Sequence, residues 1–223
     1  MISVNTKLKI IFIILGVLLI DQALKIYIKT HFHYGEDMPL FGASWAYFNF
    51  VENNGMAFGL SLGGEYGKLL LSLFRIVAVI LLWKYIIRLI NQQAHFGLLL
   101  SFALIFAGAV GNIIDSAFYG MIFSESKYHG EIATMFPPGG GYSSFLHGKV
   151  VDMFYFPLID TYLPDWFPIW GGEHFEFFRP VFNIADASIS VGVGILLVFY
   201  KRFFQEHEKS EPVGVQKMPE SEA

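Results

Sequence analysis

GLLLSFALIFAGAVGNIIDSAFY, residues 97–119, carries a single charge, Asp115, and that one lies near its end. An α-helix needs about 20 consecutive apolar residues to cross the hydrocarbon of a bilayer. The stretch therefore predicts a membrane-spanning helix. Three others match it in length and apolar content, at about 7–28, 68–89 and 181–199. Asn91-Gln92-Gln93-Ala94-His95 is a short link, so the second and third spans should be antiparallel neighbours. Composition points the same way. Of the 223 residues, 54% are hydrophobic and only 15% are charged, where a soluble domain would carry about 25%. The mean hydropathy is +0.50. The expected fold is an all-α integral membrane protein, a four-transmembrane-helix bundle with a small β-rich loop domain on its outer side. The bundle should occupy residues 1–204. Residues 205–223, charged and containing Pro and Gly, should form a disordered tail.

Basic residues cluster at one set of helix ends: Lys7 and Lys9, Lys84 and Arg88, Lys201 and Arg202. Cytoplasmic loops collect Lys and Arg, so both termini should be cytoplasmic. The longer loops, about 29–67 and 120–180, should face outward. The first contains Trp45-Ala46-Tyr47-Phe48-Asn49-Phe50-Val51, aromatic and β-branched enough to suggest a strand. The second holds the breaker Pro137-Pro138-Gly139-Gly140-Gly141, then Trp166 and Trp170, which read as part of an aromatic belt at the membrane–water interface. Lys7 and Lys9 before an apolar run imitate a signal peptide, but no small-residue cleavage site follows. The segment reads as a retained first span.

The polar residues inside these spans are few and patterned. Charge in hydrocarbon is costly, so an intramembrane acid marks a candidate site. Asn112 and Asp115 lie three apart on the third span, and Asn183 and Asp186 three apart at the start of the fourth. Residues at i and i+3 share a helix face. Asp21 and Lys25, at i and i+4, can form an ion pair that lowers insertion cost and can also wall a polar cavity. Asp152 sits in the loop between the third and fourth spans. Two carboxyls brought together share one proton and can activate water. No His stands at ligand spacing from these acids and there is no H-E-x-x-H, which speaks against a metal. The absence of Cys excludes disulfides and thiolate chemistry. A net charge of −4 without a basic patch gives no sign of nucleic-acid binding. Two classes remain from chemistry alone, an aspartyl hydrolase at the membrane surface and a proton- or ion-coupled transporter. The acids gather at one depth rather than along a path, and no inverted repeat is visible, which favours the hydrolase.

These residues resemble the bacterial lipoprotein signal peptidases (signal peptidase II). Asp21-Gln22-x-x-Lys25, Asn53-x-Gly55-x-Ala57-Phe58, Gly111-Asn112-x-x-Asp115, Gly148-x-Val150-Val151-Asp152 and Phe182-Asn183-x-Ala185-Asp186 follow the order of that family's motifs over about residues 8–200. The resemblance implies an aspartyl endopeptidase of the bacterial inner membrane. It would remove the signal peptide from diacylglyceryl-modified prolipoproteins, cutting before the lipidated cysteine. By position it implies Asp152 and Asp186 as the catalytic pair, with Asp21, Lys25, Asn53, Gly55, Asn112, Asp115 and Asn183 supporting or binding substrate. It implies no metal or organic cofactor. The partners implied are prolipoproteins, membrane lipids and the cyclic peptide inhibitor globomycin. Two departures stand out. Ser116 occupies the position where the family usually has Arg, and the run Ser116 to His147 is longer than the family's usual gap. That insertion is expected on the outer face, where three roles stay open: closing over substrate, which is preferred, docking a partner, or plain ornament.

Overall fold

The computed structural model describes residues 4–53 and 64–208. Gly55, Ala57 and Phe58 lie outside the described residues, as does most of the expected tail. Among the described residues, four helices are long and apolar enough to cross a membrane. They are α1 (Val4–His31), α2 (Gly64–Asn91), α3 (Phe96–Ile114) and α4 (Ile184–Glu208). The third span is longer than α3. It continues through a π turn at Asp115–Tyr119 and a last helical turn at Gly120–Ile122. The fourth starts three residues later than its hydropathy suggested, and helix continues through residues 205–208 of the segment expected to be tail.

Strands β1 (Asp37–Pro39), β2 (Tyr47–Asn53) and β3 (Val150–Tyr155) form an antiparallel sheet in that order. It covers the bundle end where α1 and the third span finish. A separate hairpin, β4 (Ile159–Tyr162) and β5 (His174–Phe177), follows before α4.

The buried stripe of α1 shows why the site lies where it does. Ile10, Ile14, Asp21, Lys25, Ile28 and Lys29 are all buried along one side of the helix, and Phe32, just past its end, is buried too. Ile10 and Ile14 join an apolar cluster with Ile86, Leu89, Leu99 and Phe203 near the α2–α3 link. Ile28 and Phe32 join a second, with Phe50, Phe123, Val151 and Met153 under the sheet. The buried charged residues of α1 begin between these clusters, at Asp21.

Helices α3 and α4 approach closely at Gly108. A Cβ there would overlap the carbonyl oxygen of Ala185 and lie 2.7 Å from Ile189 Cγ1. Ala185 cannot easily retreat, because its N–H donates to Asp21 Oδ1 at 2.9 Å. Gly108→Ala is therefore expected to force the helices apart, costing about 1–3 kcal/mol as overpacking does. Thermal unfolding in detergent would read this directly; an unchanged transition would show that the crossing can absorb a methyl group.

Candidate active site

Asp186 belongs to the first turn of α4. Asn183 stands just before that helix, and its Oδ1 accepts from Asp186 N at 2.9 Å. Asp186 Oδ2 in turn faces the Asn183 backbone N–H at 3.4 Å. This is a reciprocal capping box, which satisfies N–H groups that a helix start leaves orphaned. The helix dipole also favours a carboxylate at this end. Asn183 and Asp186 thus do more than share a face: together they start the helix.

Asp152 is carried by β3 opposite Val51 of β2 and is buried. Asn183 Nδ2 donates to its Oδ1 at 2.7 Å, and Asn53 Nδ2, from the end of β2, donates to its Oδ2. Asn112 Nδ2 donates to Asp186 Oδ1 at 2.8 Å, while Asn112 Oδ1 accepts from Asn183 Nδ2 at 3.2 Å. Asp152 and Asp186 are therefore joined through two amides. Burial, and after it the negative charge of Asp186, push the Asp152 carboxyl up to about 8.

Lys25 organises the other side. Its Nζ reaches Asp21 Oδ2 at 2.9 Å, Asp115 Oδ2 at 2.8 Å and Asn112 Oδ1 at 2.9 Å. An ammonium has three N–H groups, and three acceptors take them. Asp115 also accepts from Gln22 Nε2 at 3.0 Å and from Val151 N at 3.3 Å, the residue before Asp152. The amides and Lys25 thus link Asp21, Lys25, Asn53, Asn112, Asp115, Asn183, Asp152 and Asp186 into one network. Gln22 belongs to it too: its Nε2 reaches Gly111 O at 3.2 Å and its Oε1 accepts from Tyr119 OH at 3.2 Å. Gln22 has no charge to draw attention in a span. Its sequence signal is its place in the Asp21-Gln22-x-x-Lys25 motif.

The π turn explains how Asp152, far along the chain, comes beside Asp115. Carbonyls of this turn and of the last helical turn after it bond outside the span. Ser116 O accepts from Gly148 N at 2.8 Å, Ala117 O from Leu146 N at 3.3 Å, and Gly120 O from Ser143 N at 2.8 Å. Gly148 is required by this contact, since a Cβ would overlap Asp115 O. The end of the insertion is thereby stitched to the third span just before β3 begins. Ser116 turns its hydroxyl to Asn112 O at 3.0 Å, the back-bond typical of a helical serine.

The rest of the insertion packs beside a second buried charge pair. Lys29, one turn beyond Lys25, pairs with Glu52 and donates to Ser126 Oγ at 2.8 Å. The Phe123 and Tyr142 rings lie within 5.5 Å of its Nζ. The insertion is therefore fastened to α1 and β2 through buried contacts.

Comparison with known proteins bears on this arrangement. The family model described as signal peptidase (SPase) II matches residues 13–202. The lipoprotein signal peptidase of Porphyromonas gingivalis is 52% identical over 191 residues, covering 85% of this chain and 81% of that protein. That of Amoebophilus asiaticus is 35% identical over 190 residues, covering 84% and 75%. A solved bacterial membrane enzyme shares the fold at a TM-score of 0.55 with 22% identity, over 86% of this chain and 92% of that one.

Proposed function

This chain belongs to the signal peptidase II family, and on that premise we propose that Asp152 and Asp186 are the pair with which this membrane-embedded aspartic peptidase cuts diacylglyceryl-modified prolipoproteins before the lipidated cysteine. The observation that carries the proposal is the coupling of a buried carboxyl on β3 to a half-buried one at the start of α4 through Asn183 and Asn112.

Asp152 holds the shared proton and Asp186 is the carboxylate. Asp186 takes a proton from a water molecule as the water oxygen attacks the scissile carbonyl carbon. Asp152 donates to the carbonyl oxygen, which becomes the hydroxyl of a tetrahedral intermediate. Collapse re-forms the C=O bond as a hydroxyl proton returns to Asp152, and breaks the C–N bond, the leaving nitrogen taking the proton gained by Asp186. Asn53 and Asn183 hold Asp152 in place, Asn112 holds Asp186, and the Lys25 cluster fixes Asn112. The acyl chains of the substrate stay in lipid while its signal helix lies against the bundle. The enzyme sits in the bacterial inner membrane, both termini are cytoplasmic, and the site opens near the outer leaflet. Globomycin occupies the same place as substrate.

The assay is cleavage of lipidated prolipoprotein by purified protein in detergent, alongside the unmodified precursor and a globomycin-treated sample. Cleavage of the lipidated form alone, stopped by globomycin, is the expected result. Cleavage of both precursors alike would remove the lipid requirement, and folded protein that cuts neither would reject the substrate assignment.

The raised Asp152 carboxyl gives a pH signature. Its proton is present below about 8 and lost above it, so activity should fall as pH rises through that value. Stability should move the same way. Between the ordinary 3.8 and about 8 the folded chain holds a proton that the unfolded chain releases, so each step up in pH within this window weakens the fold. A pH–rate profile with no alkaline decline would place the proton elsewhere.

A further inference from the structure

The β4–β5 hairpin has two unlike faces. Its register sets Ile159 opposite Phe177 and Thr161 opposite Phe175 on one face, with Asp160 opposite Glu176 and Tyr162 opposite His174 on the other. The second face is neutralised internally. His174 pairs with Asp160, and Glu176 accepts from Tyr155 OH and meets Arg179 at 3.3 Å. The first face is left open: Ile159 is 49%, Phe175 40% and Phe177 51% exposed. At the hairpin tip Trp166, Ile169 and Trp170 are also exposed, and Ile169 has a φ of 81°, a conformation that β-branched residues avoid.

The hairpin is tied to the membrane end of the molecule on both sides. It leaves β3 four residues after Tyr155, and the Tyr155 hydroxyl of β3 donates to Glu176 of β5. From Phe177 to Ile184, where the α4 span begins, the chain can reach at most about 25 Å. Tryptophan settles where hydrocarbon meets water, and a two-faced element lies in that zone with its apolar side down. We propose that the hairpin is an interfacial paddle, its Ile159–Phe175–Phe177 face and Trp166–Ile169–Trp170 tip resting in the headgroup zone of the leaflet on the sheet side of the membrane. The lipid then also braces β3, the strand that carries Asp152, through Tyr155. The inference goes beyond the catalytic reading, and its test does not depend on it.

The chain has no Cys, so single nitroxide labels can be placed cleanly in full-length protein. Ile169→Cys and Phe175→Cys probe the apolar side, and Asp160→Cys probes the polar one, where only an exposed His–Asp pair is lost. Labelled proteins are reconstituted in phosphatidylethanolamine–phosphatidylglycerol vesicles and exposed to oxygen, which concentrates in lipid, and to a water-soluble nickel chelate. Oxygen collisions should exceed nickel collisions at 169 and 175, with the ratio inverted at 160. Circular dichroism verifies the fold of each variant, and Phe175→Cys decides if Ile169→Cys does not fold. Nickel dominating at the apolar positions would overturn the proposal by showing a water-facing paddle. Low access to both reagents would overturn it by showing protein cover. Lipid access gained only on adding lipidated precursor would overturn it in favour of a substrate surface.

Discussion

Asp186→Asn is expected to abolish cleavage while leaving the helix cap in place, and Asp152→Asn to do the same from the other side of the pair. Each change keeps side-chain shape and most hydrogen bonding. The amide introduced at position 186 can still accept from Asn112 Nδ2, and the amide introduced at position 152 can still accept from one of Asn53 and Asn183. What each removes is the ability to take or give a proton during the reaction. Losing such a group costs typically 100- to 10,000-fold in rate, and about a thousandfold or more is the loss that the proposed pairing leads us to expect. Asp115→Asn is the contrast. That carboxylate already serves Lys25, Gln22 and Val151 N, so its loss should act through stability and positioning. Turnover of lipidated precursor, with circular dichroism and a detergent melting curve for each variant, separates the cases. A folded Asp152→Asn or Asp186→Asn protein that still turns over at an appreciable rate would expel that residue from the pair.

Lys25→Met should be the most destabilising single change in the bundle. The side chain is fully buried, and its removal leaves Asp21 and Asp115 buried without the cation between them. Taking one partner from a buried ion pair costs about 3–5 kcal/mol. Asn112 Oδ1 loses one of its two donors as well, keeping only Asn183 Nδ2, so the neighbour of Asp186 is less firmly fixed. Low yield and a large drop in melting temperature are the expected readings. Lys25→Met combined with Asp115→Asn removes one of the stranded charges and should recover part of the stability without recovering activity. If Lys25→Met melts like the parent chain, the charges of Asp21 and Asp115 are being met in some other way.

Much of this molecule is legible in its sequence because its largest constraint is simple. Apolar runs longer than a bilayer is thick have few other uses, so the four spans stand out with no knowledge of packing. Asp21, Lys25, Asp115 and Asp186 stand out for the same reason, being charges where charge is expensive. Partnership is harder to read. Asn183 and Asp186 look like one face of a helix by spacing, yet an Asn followed three residues on by an Asp ahead of an apolar run is also a helix-start signature. That reading places the helix boundary correctly at Ile184. Lys29 and Glu52 give no local sign of pairing, because one lies near a helix end and the other on a strand more than twenty residues away. The π turn leaves no periodic trace over five residues. It shows only through the carbonyls that the insertion takes up, and those bonds are formed by backbone that any residues could supply.

The Asp21–Lys25 pair has a consequence earlier in the life of the protein than any reaction. Helix α1 is synthesised before α3 and α4, so it must enter the lipid before Asp115 or Ala185 exists to receive its polar groups. Alone, it carries an acid and a base one turn apart, and these can neutralise each other within the helix. Lys29, nearer the helix end, can stretch its ammonium toward water until Glu52 arrives. The first span therefore travels with a provisional partner for its acid. As the later helices assemble, that same Lys25 is shared out to Asp115 and Asn112, so a group that first makes insertion tolerable then becomes a reason for the third helix to dock against the first.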